Sequence, residues 1–225
     1  RPAGKISLMA RGAKKMKSRL SAVSQLFTHG EYTYYRSGSM GTLNHGEIMK
    51  SHHLIREDLQ RSAYASYLAE LADRLLTDDE ASAYLFEQLD AALDGMEENK
   101  DPQIITHIME LKILHVSGFS PRLDQCVACG ASGPFPHFSV SLGGVLCARC
   151  ADGDPARLAV TPQVSKLLEI LQKADLRRLG KVQVSPRNKL LLRQCMRQFI
   201  QTHVPSQLKT LRFLEQMEKY GLSSL

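Results

Sequence analysis

Cys126-Val127-Ala128-Cys129 and, seventeen residues later, Cys147-Ala148-Arg149-Cys150 decide how this chain is read. In each pair the two intervening residues let both thiolates turn towards one ion, and two such knuckles complete a tetrahedral Zn(II) site. Between them, Phe138-Ser139-Val140 and Val145-Leu146 flank Gly143-Gly144, a hairpin signal. Residues 122–153 are therefore expected to form a zinc ribbon or treble-clef-like module. Four thiolates leave no open coordination position, so the one zinc ion expected is structural. Three alternatives stand beside it. Two disulfides need an oxidising compartment, against which count the lack of a signal peptide and the odd fifth cysteine, Cys195. A redox Cys-x-x-Cys wants a βαβ setting that this sequence does not offer. The third is a ribbon that has lost its metal. His137, between the pairs, is a substitute ligand, and Cys195 lies on an apolar helix face as a core residue.

Upstream of the cysteines the period is helical. Tyr64, Tyr67, Leu68, Leu71 and Leu75 fall on one face, as do Leu85, Leu89, Ala92, Leu93 and Met96, then Ile104, Ile108, Leu111 and Leu114. Thr77 or Asp78 is expected to cap the second of these helices, Asp101-Pro102 to open the third and Gly118 to close it. Downstream, Thr161-Pro162, Ser185-Pro186 and Pro205-Ser206 open three more. Their stripes are Val164/Leu167/Leu168/Leu171, Leu192/Cys195/Met196/Phe199 and Leu208/Leu211/Leu214. Residues 5–51 read instead as about three strands with turns. They comprise a short one at Ile6–Leu8, an aromatic one at Leu26–Arg36, a turn at Ser37-Gly38-Ser39, and one at Thr42–Met49 with Gly46 as its bulge or bend. The expected division is 1–51, 52–121, 122–153 and 154–225.

Charge is segregated. Residues 1–30 carry seven bases and no acid, residues 31–156 nine bases and nineteen acids, and residues 157–225 thirteen bases and four acids, within a net charge of +6. A polyanion suits either end and a partner protein suits the acidic middle. No apolar run of about 18 residues is present, so a membrane span is not expected. The first residue is Arg1, which reads as a chain lacking its true start. No phosphate-cradling Gly-rich loop ending in Lys-Ser/Thr, no Gly-x-Ser-x-Gly elbow and no His-Glu-x-x-His occurs. Glu57/Asp58 and Asp78/Asp79/Glu80 sit where carboxylates favour helix starts, and His52-His53 reads as a polar boundary between strand and helix. The chain is expected to bind, not to catalyse.

Arg11, Lys14, Lys15, Lys17 and Arg19 place five bases within nine residues, spaced by small residues. Tyr32 and Tyr34 follow on one strand face, with Thr33 and Tyr35 on the other. A basic track beside stacking rings is what single-stranded nucleic acid needs for binding without sequence preference. Lys5, Arg11, Lys14, Lys15, Lys17, Arg19, Tyr32 and Tyr34 are the candidate DNA-binding residues, and Arg177, Arg178, Lys181, Arg193 and Arg197 are expected to extend that face.

Gly4-Lys5-Ile6, Met9–Lys15 and Ser18–Gln25, continued by Gly41-Thr42-Leu43, Gly46-Glu47, Ile55–Leu59, Tyr64-Ala65, Tyr84–Phe86, the four cysteines, Arg212–Leu214 and Met217-Glu218, resemble the bacterial recombination mediator family RecO in its zinc-bearing branch. The resemblance implies an α+β chain: an N-terminal OB-fold, then a mainly α-helical domain with an inserted four-cysteine zinc module. In the family further strands precede Gly4, and an OB-fold has five. The resemblance also implies binding of single- and double-stranded DNA and annealing of complementary strands. It implies loading of RecA onto strands coated by single-strand-binding protein, with RecR and the acidic C-terminal tail of the single-strand-binding protein as partners, and a cytoplasmic, nucleoid-associated location. A protein-interaction adaptor and an RNA-binding zinc-ribbon protein are the alternatives.

Overall fold

The computed structural model describes residues 4–38, 40–76, 82–205 and 207–220. The first sheet has three strands in the order β1-β3-β2: β1 (Leu8–Met9), β2 (His29–Ser37) and β3 (Met40–Lys50). β1 pairs in parallel with β3 at Gly41 and Thr42, and β2 runs antiparallel to β3 along its length. Gly38, at φ 67, makes the turn, and Ser39 lies outside the described residues. A five-stranded barrel is thus represented by three strands among the described residues.

The expected bulge at Gly46 is not there. The register shifts fall where β3 has an extra residue, at Asn44 and Met49, while Gly46 pairs directly with Tyr32. Gly46 serves close approach: a Cβ there would lie 3.1 Å from Val23 and from the Tyr32 ring, so the segment before β2 can rest on the sheet. On the other face Glu31 stands directly opposite Glu47, and Thr33 opposite His45.

Seven helices follow among the described residues: α1 (His53–Glu57), α2 (Leu59–Leu75), α3 (Ala83–Glu97), α4 (Pro102–Val116), α5 (Pro162–Lys173), α6 (Pro186–His203) and α7 (Lys209–Lys219). Their starts follow capping chemistry. Asp58 accepts from Arg61 N at 2.8 Å, Asp101 from Gln103 N at 3.1 Å, Thr161 from Val164 N at 3.2 Å and Ser185 from Asn188 N at 3.3 Å. α3 is capped by Ser82, which accepts from Leu85 N at 3.1 Å. The expected caps Thr77 and Asp78, and the acids through Glu80, lie outside the described residues. Beyond α4, Gly118 takes φ 78, its N–H reaches His115 O, and Phe119 N reaches Leu114 O at 2.8 Å. This is a Schellman closure, with the glycine where the left-handed conformation is required.

The expected apolar stripe of α4 understates its burial: every residue from Ile104 to Leu114 is buried. α4 packs against α2, α3, α5 and α6, and so has no polar face to give to water. Its ionisable groups are satisfied internally. His107 Nδ1 donates to Glu110 at 2.7 Å, Tyr67 of α2 donates to the other Glu110 oxygen at 2.7 Å, and Lys112 donates to the Tyr84 hydroxyl at 3.0 Å.

The cysteine region forms a second sheet of β4 (His137–Ser139), β5 (Gly144–Leu146) and β6 (Leu158–Ala159), in the order β5-β4-β6. Gly143, at φ 78, makes the expected hairpin turn.

α7 begins at Lys209, later than the expected start at Pro205-Ser206, and its neighbour α2 supplies the cap. The Glu70 carboxylate accepts from Lys209 N at 3.2 Å, from Thr210 N at 2.8 Å and from Thr210 Oγ1 at 2.5 Å. Burial pushes the Glu70 carboxyl up, but these hydrogen bonds outweigh it and hold it below its ordinary value. Its contribution is therefore present above the unfolded-state pKa of about 4.3 and is lost as pH falls through the lower folded value. Glu70→Ala is expected to destabilise the chain by about 1 kcal/mol at pH 7. In urea titrations the difference from wild type should shrink as pH falls below about 4.

Candidate nucleic-acid interface and metal centre

The four knuckle cysteines converge. The Sγ atoms of Cys126, Cys129, Cys147 and Cys150 all lie within 4.8 Å of one another. Cys129 Sγ and Cys147 Sγ are 3.8 Å apart. A tetrahedron with metal–sulfur bonds of about 2.3 Å has edges of about 3.8 Å, so the donor set has the size that a thiophilic tetrahedral ion needs. Cys126 and Cys147 are buried, Cys150 is half-buried and Cys129 faces solvent.

The backbone prepares the site. The Cys147 N–H points at Cys126 Sγ at 3.4 Å. Burial pushes the Cys126 thiol up, but the N–H groups of Cys147, Cys129 and Ala128 outweigh it and bring it down to about 6. A thiolate, the form that binds metal, is thus favoured by the fold. His137 is outside the four-residue cluster, on β4, with its Nδ1 buried and without a hydrogen-bond partner among the described residues. Cys195 is fully buried on α6, where desolvation pushes its thiol up to about 12, as suits a core residue.

The module is fastened to the helices. Phe138 meets Phe199 of α6 edge-on at 6.1 Å, and His203 Nε2 donates to Val140 O at 2.6 Å. Buried Asp154 accepts from Ser139 Oγ at 2.5 Å and from Ser141 Oγ at 3.2 Å, tying the hairpin to the turn after Cys150.

The basic segment 11–25 is a chain of tight turns linked by bonds such as Lys15 N to Gly12 O at 2.9 Å and Ser18 N to Lys15 O at 3.0 Å. It presents Arg11, Lys14, Lys15, Lys17 and Arg19, all exposed. Among the described residues none of the five forms an ion pair. Val23, buried at the end of these turns, anchors them over Gly46.

Lys5 stands apart from this group. Its ammonium lies at the C-terminal end of α2, 2.8 Å from Asp73 O and 3.4 Å from Asp73 Oδ1, where a cation satisfies end carbonyls. Tyr32 donates to Thr28 O at 3.0 Å and to Val23 O at 3.2 Å, which holds its ring against the turns. Tyr34 is half-buried beside Gly41. The most open of the three rings on β2 is Tyr35, 68% exposed on the opposite face. Strand alternation alone does not say which tyrosine face the loop covers.

The expected extension into residues 157–225 divides. Arg177 is held by Asp175 at 2.7 Å and Glu87 at 2.6 Å, and Arg193 and Arg197 both hold Glu218, at 3.0 and 2.6 Å. These three are neutralised within the fold. Arg178 and Lys181 are exposed and carry no ion pair among the described residues. A cavity of about 350 Å³ opens between α6 and α7, lined by Ile200, Gln201, Gln207, Leu208, Leu211 and Arg212. Apolar spacing marks the helix faces, but nothing in the sequence shows that they diverge to leave this groove.

A small sheet preceded by basic turns, ahead of a helical body that carries a four-thiolate knuckle, defines an α+β protein. Residues 1–52 match the family model for the N terminus of recombination protein O, and residues 56–212 the model for its C terminus. The chain belongs to the RecO family of DNA repair and recombination proteins. It is 42% identical over 218 residues to the DNA repair protein RecO of Halalkalibacterium halodurans, covering 97% of this chain and 86% of that one. It is 44% identical over 219 residues to that of Bacillus mycoides (97% and 88%) and 43% identical over 215 residues to that of Bacillus subtilis (96% and 84%). Among the described residues no helix is long and apolar enough to cross a membrane.

Cys126→Ser and Cys147→Ser are each expected to remove bound metal and to expose 122–159 to proteolysis, because a structural ion contributes directly to folding. Elemental analysis alongside limited digestion checks this; full metal retention in both variants would contradict it.

Proposed function

We propose that this chain is a non-catalytic DNA-binding recombination mediator. It holds single- and double-stranded DNA, anneals complementary strands, and, acting with RecR, helps to load RecA onto strands coated by single-strand-binding protein. The observation that carries this reading is the set of five exposed cations at Arg11, Lys14, Lys15, Lys17 and Arg19, none of which the fold neutralises among the described residues. Elsewhere the fold spends many of its bases on its own carboxylates, as at Arg193 and Arg197.

The physics of annealing is charge neutralisation. Complementary strands repel through their phosphates, and a cationic track that replaces condensed counterions lets them come together. Nothing in this requires a nucleotide cofactor. Tyr32 and Tyr34 line the sheet face next to the track and supply its stacking surface, while Tyr35 lies on the face that carries Glu31 and Glu47. Lys5 braces α2 and contributes through the position of the strand, while Arg178 and Lys181 serve as secondary contacts. The four cysteines hold one structural Zn(II), which supplies no chemistry beyond joining the two knuckles. The protein acts in the cytoplasm, with the nucleoid.

The acidic tail of single-strand-binding protein docks in the groove between α6 and α7. Arg212 meets its carboxylates, and Ile200, Leu208 and Leu211 take its apolar side chains. Charge complementarity supports this occupant.

Five phosphate contacts give a log–log salt slope of about −3.5 on single strands, and reversing Lys14, Lys15 and Lys17 to Glu should reduce it by about 2. Fluorescence anisotropy on unrelated sequences should show a uniform loss; a salt-independent affinity would overturn the reading, and preference for RNA over DNA would favour the RNA-binding alternative. Separately, Arg212→Glu should weaken a labelled acidic tail peptide about tenfold while leaving DNA affinity unchanged. An unaltered peptide affinity would place the tail elsewhere.

A further inference from the structure

The three-stranded sheet rests on the helices at few points. Apolar contact there comes from Phe27, which packs against the helical core, and from Phe86, whose ring meets His29 edge-on at 5.2 Å. Lys5 ahead of β1 reaches Asp73 at the end of α2, and most of the remaining polar contact falls on one acidic stripe of α3. Asp90, Asp94 and Glu97 recur at helical spacing and face the end of the sheet.

Lys50, at the end of β3, donates to Asp90 and to Asp94, each at 2.7 Å. His29, at the start of β2, donates from Nδ1 to Asp90 at 2.7 Å. His52 lies just past the strand, with its side chain fully buried and its backbone left-handed at φ 44 and ψ 41. Its Nδ1 is 3.1 Å from Glu97 and its Nε2 is 3.7 Å from Asp90, without a hydrogen-bond partner among the described residues. The other Glu97 oxygen accepts from Leu54 N at 3.1 Å. Arg56 closes the opposite side of the connection, donating to Leu26 O at 2.8 Å and to Ser51 O at 2.5 Å.

From this geometry we infer that a latch of ion pairs and hydrogen bonds, Lys50 and His29 on the sheet and His52 at the hinge against Asp90, Asp94 and Glu97 on α3, sets the position of the sheet on the helical body and opens when charge is screened. Lys50 is 40% exposed and Asp94 39% exposed, so dissolved ions reach the pairs that matter most. Opening exposes little apolar surface, since little is buried there. The backbone change it needs falls on Ser51-His52-His53, where a non-glycine residue already sits in the left-handed region. The sheet can thus alter its angle to the helices while both keep their internal structure. The latch is independent of what the sheet binds.

Hydrogen exchange read by mass spectrometry on the full-length, metal-loaded protein tests this. The Leu54 amide donates to Glu97, one of the latch carboxylates, and reports whether the junction is closed, and α4 provides an internal reference. Between 50 and 500 mM NaCl, exchange in the peptide spanning 51–57 should quicken about tenfold while 104–114 stays unchanged. Asp90→Asn with Asp94→Asn, and Lys50→Gln from the other side, should each reproduce the fast junction exchange at 50 mM NaCl and flatten its salt dependence. Junction exchange that is indifferent to salt in the wild type overturns the latch. So does acceleration of the α4 reference in step with the junction, which would mark general loosening instead. The salt series on the wild-type protein decides the matter even where a variant folds poorly.

Discussion

Helix α4 has no side facing water, and the helical body is arranged around that constraint. A helix buried all round must pair its charged groups internally, because an unpaired buried charge costs far more than a buried apolar group returns. His107, Glu110 and Tyr67 meet this as a unit: the imidazole and the phenol donate to separate oxygens of one carboxylate. Gln103 approaches the second His107 nitrogen at 3.3 Å and donates to Lys189 O on α6. The network reaches α2 and α6 from one central rod. It fixes the rotation of these helices about one another, which apolar side chains of interchangeable shape specify less sharply.

The cysteine module belongs to the same body. Cys126, Phe138, Val145 and Leu146 sit in one apolar cluster with Cys195, Phe199 and Leu192. The hairpin is gripped from α5 as well, where Ser165 donates to Phe135 O at 2.6 Å. A metal that orders the knuckles therefore orders the wall against which α5 and α6 close. The effect of losing it is expected to travel into the helices, although none of the four cysteines lies on one of them.

Much of this was legible in the sequence because it depends on local chemistry. Paired cysteines two residues apart, a capping side chain followed by proline, and Gly118 beyond α4 each have a short-range cause, and each appears where its cause places it. What the sequence concealed arises between distant segments. Glu70 caps a helix some 140 positions away, so the start of α7 was misread from Pro205-Ser206. Gly46 looked like a bulge, since no local signal shows that Val23 will lie on it. Arg193 and Arg197 looked like free bases on a basic stretch until Glu218 folded across them. His52 reads as a polar boundary between strand and helix, and nothing local shows that it is buried beside Glu97. The exposure of Arg11, Lys14, Lys15, Lys17 and Arg19 follows from the local composition, with small residues, glycine and no nearby acid to claim them.

Glu31 and Glu47 stand face to face across β2 and β3, an arrangement that costs the sheet a few tenths of a kcal/mol by like-charge repulsion. Any phosphate chain nearing that side meets two carboxylates at once, whereas the side bearing Tyr32 leads onto arginines and lysines. The ribbon therefore has a forbidden surface and a welcoming one. The difference between the two is imposed by repulsion as much as by attraction.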